Sequence, residues 1–170
     1  VGKLPPVLSF VGKSNTGKTT FVAKVIECLC AKGIKIFAIK HAPHGFESGP
    51  CGVDSDKLKQ AGAAVSMVHG PDRVSLESDV PSDSQLIQIL ERFVGDEDLV
   101  ITEGYKRENT PKIEISRAAR STSLVCLDDP NLIAVAADYP IKGFVPVFEL
   151  TDAKGIADFI IKRFLPGDLD

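Results

Sequence analysis

Two hydrophobic periods alternate along this chain. Val7–Val11 (VLSFV) is a short apolar run behind Pro5-Pro6, the pattern of a buried strand. From Lys18 to Lys32 the period changes to that of a helix, with Phe21, Val22, Val25, Ile26 and Leu29 on one face. Gly33 ends that helix as a left-handed cap would. Ile34–Ile39 predicts a second strand, and the stretch 41–53, with three glycines and two prolines, predicts a long mobile loop or ribbon. Asp54–Ala61 predicts a short helix closed by Gly62. Val65–Val68 and Arg73–Glu77 predict strands around the turn Gly70-Pro71. Ser82-Asp83-Ser84-Gln85 has the spacing of a capping box for a helix with Leu86, Ile87, Leu90 and Phe93 on its apolar face. Leu99–Thr102 predicts a buried strand, whereas Lys112–Ile115 alternates, so one of its faces should be wet. Leu124–Leu127, Ile133–Ala136 and Val145–Phe148 predict further strands. Thr151 is placed to cap a last helix carrying Ile156, Ile160 and Phe164, which Pro166-Gly167 ends before a frayed acidic tail.

Strands alternating with helices at this spacing predict an α/β fold with a mostly parallel twisted sheet and helices on both faces. With 170 residues, 44% hydrophobic and 25% charged, the expectation is one compact domain. A net charge of −3 provides no global attraction for nucleic acid or an acidic membrane, and no apolar run approaches the ~20 residues of a membrane span. Cys28, Cys30, Cys51 and Cys126 are scattered, which fits reduced thiols in the cytoplasm. The chain opens at Val1 and its one methionine is Met67, so the native start is expected to have been removed or to lie upstream.

The chemistry begins after the first strand. Gly12-Lys13-Ser14-Asn15-Thr16-Gly17-Lys18-Thr19, followed by Thr20, is a complete G-x-x-x-x-G-K-T phosphate loop. Its glycines let consecutive N–H groups turn inward around a phosphate, and the helix that follows adds its positive end. Lys18 reaches the β- and γ-phosphates, and Thr19 offers a hydroxyl to Mg²⁺. Such a loop needs a second anchor for the metal. Glu103, followed by Gly104, stands at the end of the Leu99–Thr102 run, where an open α/β sheet binds ligands if that strand neighbours the first. Lys40 and His41 end the second strand and are candidates to touch phosphate or a second anionic ligand; the alternative is a solvated loop. His41 and His44 are three apart, but Pro43 opposes a helix that would align them on a metal. Asp54 and Asp56 are near enough in sequence to join the magnesium site, or serve as first-turn acids of their helix. No N-K-x-D segment for reading guanine is present. Asp128, after the run Leu124–Leu127, is a candidate acceptor for guanine N1–H and N2–H, against the reading of a turn acid before Pro130.

These residues resemble the MobB family, the molybdopterin-guanine dinucleotide biosynthesis adapter proteins. The resemblance spans nearly the whole chain. It rests on Val7–Thr20, then Lys40-His41-Ala-Pro-His44, then Asp54-Ser55 leading to Ala61-Gly-Ala63, then Glu103-Gly-Tyr-Lys106 with Pro111-Lys-Ile-Glu114. One departure is Gly52-Val53-Asp54-Ser55, where such chains commonly carry Gly-Lys-Asp-Ser, so one positive charge near the site is missing. An acid is usual in the preceding ribbon; Glu47 fills that place, or the register is shifted. The resemblance implies a homodimer that binds GTP and Mg²⁺, with weak GTPase activity in which Lys18 and Glu103 take part. It implies an assisting role beside MobA, the transferase that joins GMP to molybdenum-bound molybdopterin, and so contact with molybdopterin or its guanine dinucleotide. It also places the chain on the signal-recognition/MinD side of the phosphate-loop proteins, where dimer contacts often complete the site; the loop 41–53 is then a candidate dimer element.

Two other readings compete. An ATP-dependent small-molecule kinase or ligase would use Lys40, His41 and Lys106 for its acceptor. The arginines, at 73, 92, 107, 117, 120 and 163, form no lid-like cluster in sequence. A phosphate loop kept only for structure is opposed by the intact Lys18-Thr19.

Overall fold

The computed structural model describes residues 4–43, 45–46, 53–143, 145–165 and 167. In chain order the elements are β1 (Val7–Val11), α1 (Lys18–Cys30), β2 (Ile36–Lys40), α2 (Val53–Gln60), β3 (Val65–His69), β4 (Val74–Ser78), α3 (Leu86–Phe93), β5 (Leu99–Glu103), β6 (Lys112–Ser116), β7 (Leu132–Ala137), β8 (Val147–Glu149) and α4 (Ala153–Phe164). Internal contacts divide the chain into two compact units, one of residues 1–41 with 94–170 and one of residues 42–93.

The larger unit is a six-stranded sheet in the order β2-β5-β1-β6-β7-β8, and every neighbouring pair is parallel. Burial on both faces explains the largely apolar runs of β1 and β5, whose buried hydroxyls, Ser9 and Thr102, bond to each other at 2.8 Å. Leu8, Phe10, Ile101, Ile113, Ile115 and Ala136 face the stripe Phe21, Val22, Val25 and Leu29 of α1 and Ile156, Ala157 and Ile160 of α4. Each large apolar side chain so buried contributes about 1.5–3 kcal/mol. The two helices of this unit, α1 and α4, pack together on one face of the sheet. Gly33 (φ 82°) closes α1 as expected: Gly33 N–H donates to Cys30 O (2.9 Å) and Ile34 N–H to Leu29 O (3.3 Å). At α4 the cap is Asp152, not Thr151; its Oδ1 accepts from Gly155 N–H at 2.8 Å.

The other face corrects two expectations. The alternation in β6 predicted a wet face, yet all five of its residues are buried, because β6 lies between β1 and β7. Its charges are paired internally. The Lys112 ammonium donates to Glu108 O (2.6 Å) and Thr110 O (3.1 Å) and meets Asp129 Oδ2 at 3.0 Å, which uses its three protons. The Asn131 N–H and this lysine hold the Asp129 carboxyl below the usual carboxylate range. Glu114 Oε1 and Oε2 accept from the N–H groups of Val125 (2.6 Å) and Cys126 (2.8 Å). Those two bonds also explain the second correction. Leu124–Leu127 is not a strand, because its backbone donors go to a side chain rather than to a neighbouring strand. The segment is instead the crossover that carries the chain from the end of β6 back to the start of β7.

The smaller unit holds α2, the antiparallel hairpin β3–β4 and α3. Gly70 N–H donates to Arg73 O at 2.8 Å in the expected turn. One hairpin face lies toward α2, with Ser66 Oγ donating to Ser55 O at 3.1 Å. The opposite face carries Val65, Met67, Val74 and Leu76, all exposed, with Met67 opposite Leu76. The capping box expected at Ser82 is not formed. Ser84 N–H turns back to Pro81 O, and the first helical donor served is Gln85 N–H, by Gln88 Oε1 at 2.8 Å. Among the described residues no helix is long and apolar enough to cross a membrane, and Cys28, Cys30 and Cys126 are free thiols.

Candidate functional site

Strand order decides what surrounds the phosphate loop. β1 runs between β5 and β6, so the loop emerges at the carboxyl edge with Glu103 on one side and the residues after β6 on the other. Asn15 (φ 59°) and Gly17 (φ 80°) take left-handed conformations, which turn the intervening N–H groups to one side. Gly17 is also the N-cap of α1 and has no side chain to satisfy the first-turn donors. They are therefore free for an anion, and the helix dipole favours one. Thr16 is buried and ties the loop, its Oγ1 donating to Lys13 O at 3.0 Å. The Lys18 ammonium donates to the same carbonyl at 2.6 Å. Burial lowers the Lys18 pKa from its ordinary value; Glu103 opposes that shift and the neighbouring Lys40 adds to it.

A cleft of about 400 Å³ opens there, lined by Ser14, Asn15, Gly17, Lys18, Thr19, Thr20, Lys40, His41, Glu103 and Gly104. Thr19 Oγ1 lies 2.9 and 2.8 Å from the two Glu103 carboxylate oxygens. The Lys40 ammonium lies 3.1 Å from that hydroxyl and 3.5 Å from Glu103 Oε1. A hydroxyl and a carboxylate side by side at a phosphate loop are the hard oxygen donors that Mg²⁺ takes together with substrate phosphates and water. The residues thus fit that ion. Among the described residues there is no cluster of three or more His, Cys, Asp or Glu that could hold a metal. His41 N–H donates to Glu103 O (2.9 Å), its ring centroid lies 4.7 Å from that of Tyr105 with the planes tilted by 41°, and Gly104 (φ 99°) lies against it. His41 is therefore packed at the rim of the cleft.

The structure gathers most of the residues expected from the sequence, but not all. The Lys13 ammonium turns away from the cleft to Ser121 Oγ (2.5 Å) and Ser123 Oγ (2.9 Å). Gly12 lies behind the loop, against the backbone of Ile115. Asp128 is a correction. No strand delivers it; it sits exposed on the crossover, beside Asp129, which pairs with Lys112 at the start of β6. That is the amino edge of the sheet, remote from the loop. His44, Glu47 and Gly52, and the side chains of Val53, Asp54 and Asp56, lie outside the described residues. Sequence reasoning missed Arg117 and Arg120. Arg117 Nε donates to Thr16 O and Arg120 Nε to Asn15 O, each at 3.2 Å, so two guanidinium groups clasp the phosphate loop. Nothing in their spacing announces this. It follows from β6 lying next to β1.

Comparison with known proteins agrees with this architecture. Residues 7–138 match the family model of MobB, molybdopterin guanine dinucleotide synthesis protein B. The molybdopterin-guanine dinucleotide biosynthesis adapter protein of Escherichia coli is 37% identical over 163 residues, 92% of each chain. The protein of that name from Haemophilus influenzae is 32% identical, over 91% of this chain and 87% of its own. A crystal structure of molybdopterin-guanine biosynthesis protein B superposes with a TM-score of 0.74 at 26% identity, covering 92% of this chain and 97% of that one. The phosphate loop, the sheet order around it and these likenesses together show that the chain belongs to the MobB family.

Proposed function

We propose that this chain is a GTP-binding adapter of molybdopterin-guanine dinucleotide biosynthesis, holding GTP with Mg²⁺ at its phosphate loop and assisting a MobA-type guanylyltransferase. The observation that carries the reading is the placement of Lys18, Thr19 and Glu103 around one cleft. The names of the E. coli and H. influenzae relatives support the pathway. Lys18 and the loop N–H groups bind the β- and γ-phosphates. Thr19 and Glu103 would hold the metal, which supplies charge neutralisation between those phosphates when bound. Lys40 lies close enough to both to meet a terminal phosphate oxygen. Glu103 is engaged by the Thr19 hydroxyl and the Lys40 ammonium, so it is not poised as a base on an attacking water. This suits slow hydrolysis and a role in binding rather than turnover.

Calorimetric titration with GTP and ATP, with and without Mg²⁺, tests the reading. GTP should bind in preference to ATP. Chelating the metal, or Glu103→Gln, should weaken GTP binding by about 10- to 100-fold. A preference for ATP, with phosphate transferred to an acceptor, would move the assignment to a small-molecule kinase.

The protein is proposed to act as a homodimer. The exposed apolar face of Val65, Met67, Val74 and Leu76 on the hairpin supports a second copy as its cover. Light scattering should give twice the 18.2 kDa chain mass. Met67→Lys should shift it toward the monomer, and a wild-type monomer at micromolar concentration would remove this part of the reading.

A further inference from the structure

The cleft beside β5 accounts for phosphates and a metal, and its one carboxylate, Glu103, is already engaged by Thr19 and Lys40. Glu103 and Lys40 stand at the ends of β5 and β2, both on the same side of β1. Terminal phosphates drawn to that side leave the nucleoside to extend over β6 and β7. Neighbouring strands lie about 4.8 Å apart, so the end of β7 is roughly 10 Å from the end of β1. An α-phosphate and a ribose cover that span.

The residues found there form a continuous path. Arg117, just after β6, donates from Nε to Thr16 O in the phosphate loop (3.2 Å), and its Nη1 lies 3.7 Å from Asp138 Oδ2. Asp138 follows the last residue of β7. Its Oδ1 accepts the Ala118 N–H at 2.7 Å, which orients the carboxylate and leaves it further lone pairs. Beyond it opens a cavity of about 530 Å³, whose walls include Asp138, Tyr139, Pro140, Phe148 and Thr151. The Tyr139 hydroxyl is bonded to Ser116 Oγ at 2.7 Å, so that ring is held in place. Tyr139, Pro140, Val147, Phe148 and Leu150 supply the apolar surface that a purine needs, and of the polar groups there, Asp138, Glu149 and Thr151, Asp138 is the one tied back to the phosphate loop through Arg117.

We infer that the purine base is read at this cavity by the carboxylate of Asp138, in place of the Asp128 that the sequence suggested, and that the base is guanine. The inference deepens the proposed function and rests on it. The chemistry follows from hydrogen-bond polarity. A carboxylate only accepts, and guanine presents two adjacent donors, N1–H and the N2 amino group. Adenine presents a lone pair at N1, which a carboxylate opposes. Charge-assisted bonds of this kind contribute enough to separate the two bases by orders of magnitude.

Asp138→Asn tests this with a gain as well as a loss. Asparagine keeps the oxygen that accepts Ala118 N–H, so the turn is retained. Its amide N–H repels the guanine amino group but donates to the C2 carbonyl of xanthine. GTP, XTP and ATP with Mg²⁺ are titrated into the wild type, Asp138→Asn and, as a control for the phosphate loop, Lys18→Ala. The expected result is that Asp138→Asn binds GTP about 10- to 100-fold more weakly, binds XTP more tightly by a similar factor, and leaves ATP unchanged. Unchanged ratios among the three nucleotides, or an equal loss for all of them, would overturn the assignment of Asp138 while leaving the phosphate site intact. A wild type that binds none of them, or binds no better than Lys18→Ala, would overturn the proposed function and this inference together.

Discussion

Lys18→Ala should weaken Mg²⁺–GTP binding by about 100-fold or more, the cost of removing one partner from a hydrogen-bonded charge contact. The fold should survive, because Lys18 opens α1 and alanine is the better helix former. Unchanged circular dichroism with lost calorimetric binding is the expected pair of observations; retained binding would show that the phosphates sit elsewhere. The same lysine sets a pH dependence. Burial, reinforced by Lys40 and opposed by Glu103, lowers its pKa in the free protein. A bound phosphate favours the ammonium and raises it again. Affinity is therefore full below the lowered pKa of the free protein and declines as pH rises through it, with a proton taken up on binding. Lys18→Ala should lose that part of the dependence.

Gly12→Ala should cost the fold itself about 4 kcal/mol or more, in urea unfolding, or leave no folded protein. Gly12 has φ 139°, a region that side chains rarely enter, and a Cβ there would run into the carbonyl oxygen of Ile115. Both are backbone obstacles, so no side chain can turn away to relieve them. The obstacle belongs to β6, next to β1, so relief would require parting two central strands. Gly33→Ala is the control. Its φ of 82° is strained as well, but nothing lies within 4 Å of the added carbon. It should cost only about 1 kcal/mol. Equal effects at the two glycines would show that the close approach to Ile115 does not limit the loop.

Much of this protein can be read from local pattern alone. The phosphate loop is contiguous, and its glycines, lysine and threonine act through backbone turns and a helix start that the same dozen residues build. The strands β1 and β5 and the helix α1 are legible because burial on two faces or on one stripe imposes a composition. The closure of α1 at Gly33 is equally local.

Other features depend on which strand lies beside which, and local pattern misleads about them. Lys112 and Glu114 alternate with isoleucines as a half-wet strand would, yet β6 is interior and its charges are met by Asp129, by backbone carbonyls and by the N–H groups of 125 and 126. The run Leu124–Leu127 has the composition of a strand, but its donors are taken by Glu114. Asp128 thereby lies near the start of β6, at the amino edge of the sheet, and Asp138 follows the end of β7, at the carboxyl edge. Arg117 and Arg120 lie a hundred residues from the loop whose carbonyls they hold. Sequence by itself determined what is built within one short stretch of chain: the G-x-x-x-x-G-K-T turn, and the lysine and hydroxyl at the helix start that follows it. Only the tertiary structure decided what flanks that stretch, because sheet order is set by the competition of whole strands for neighbours, and no single segment carries that information.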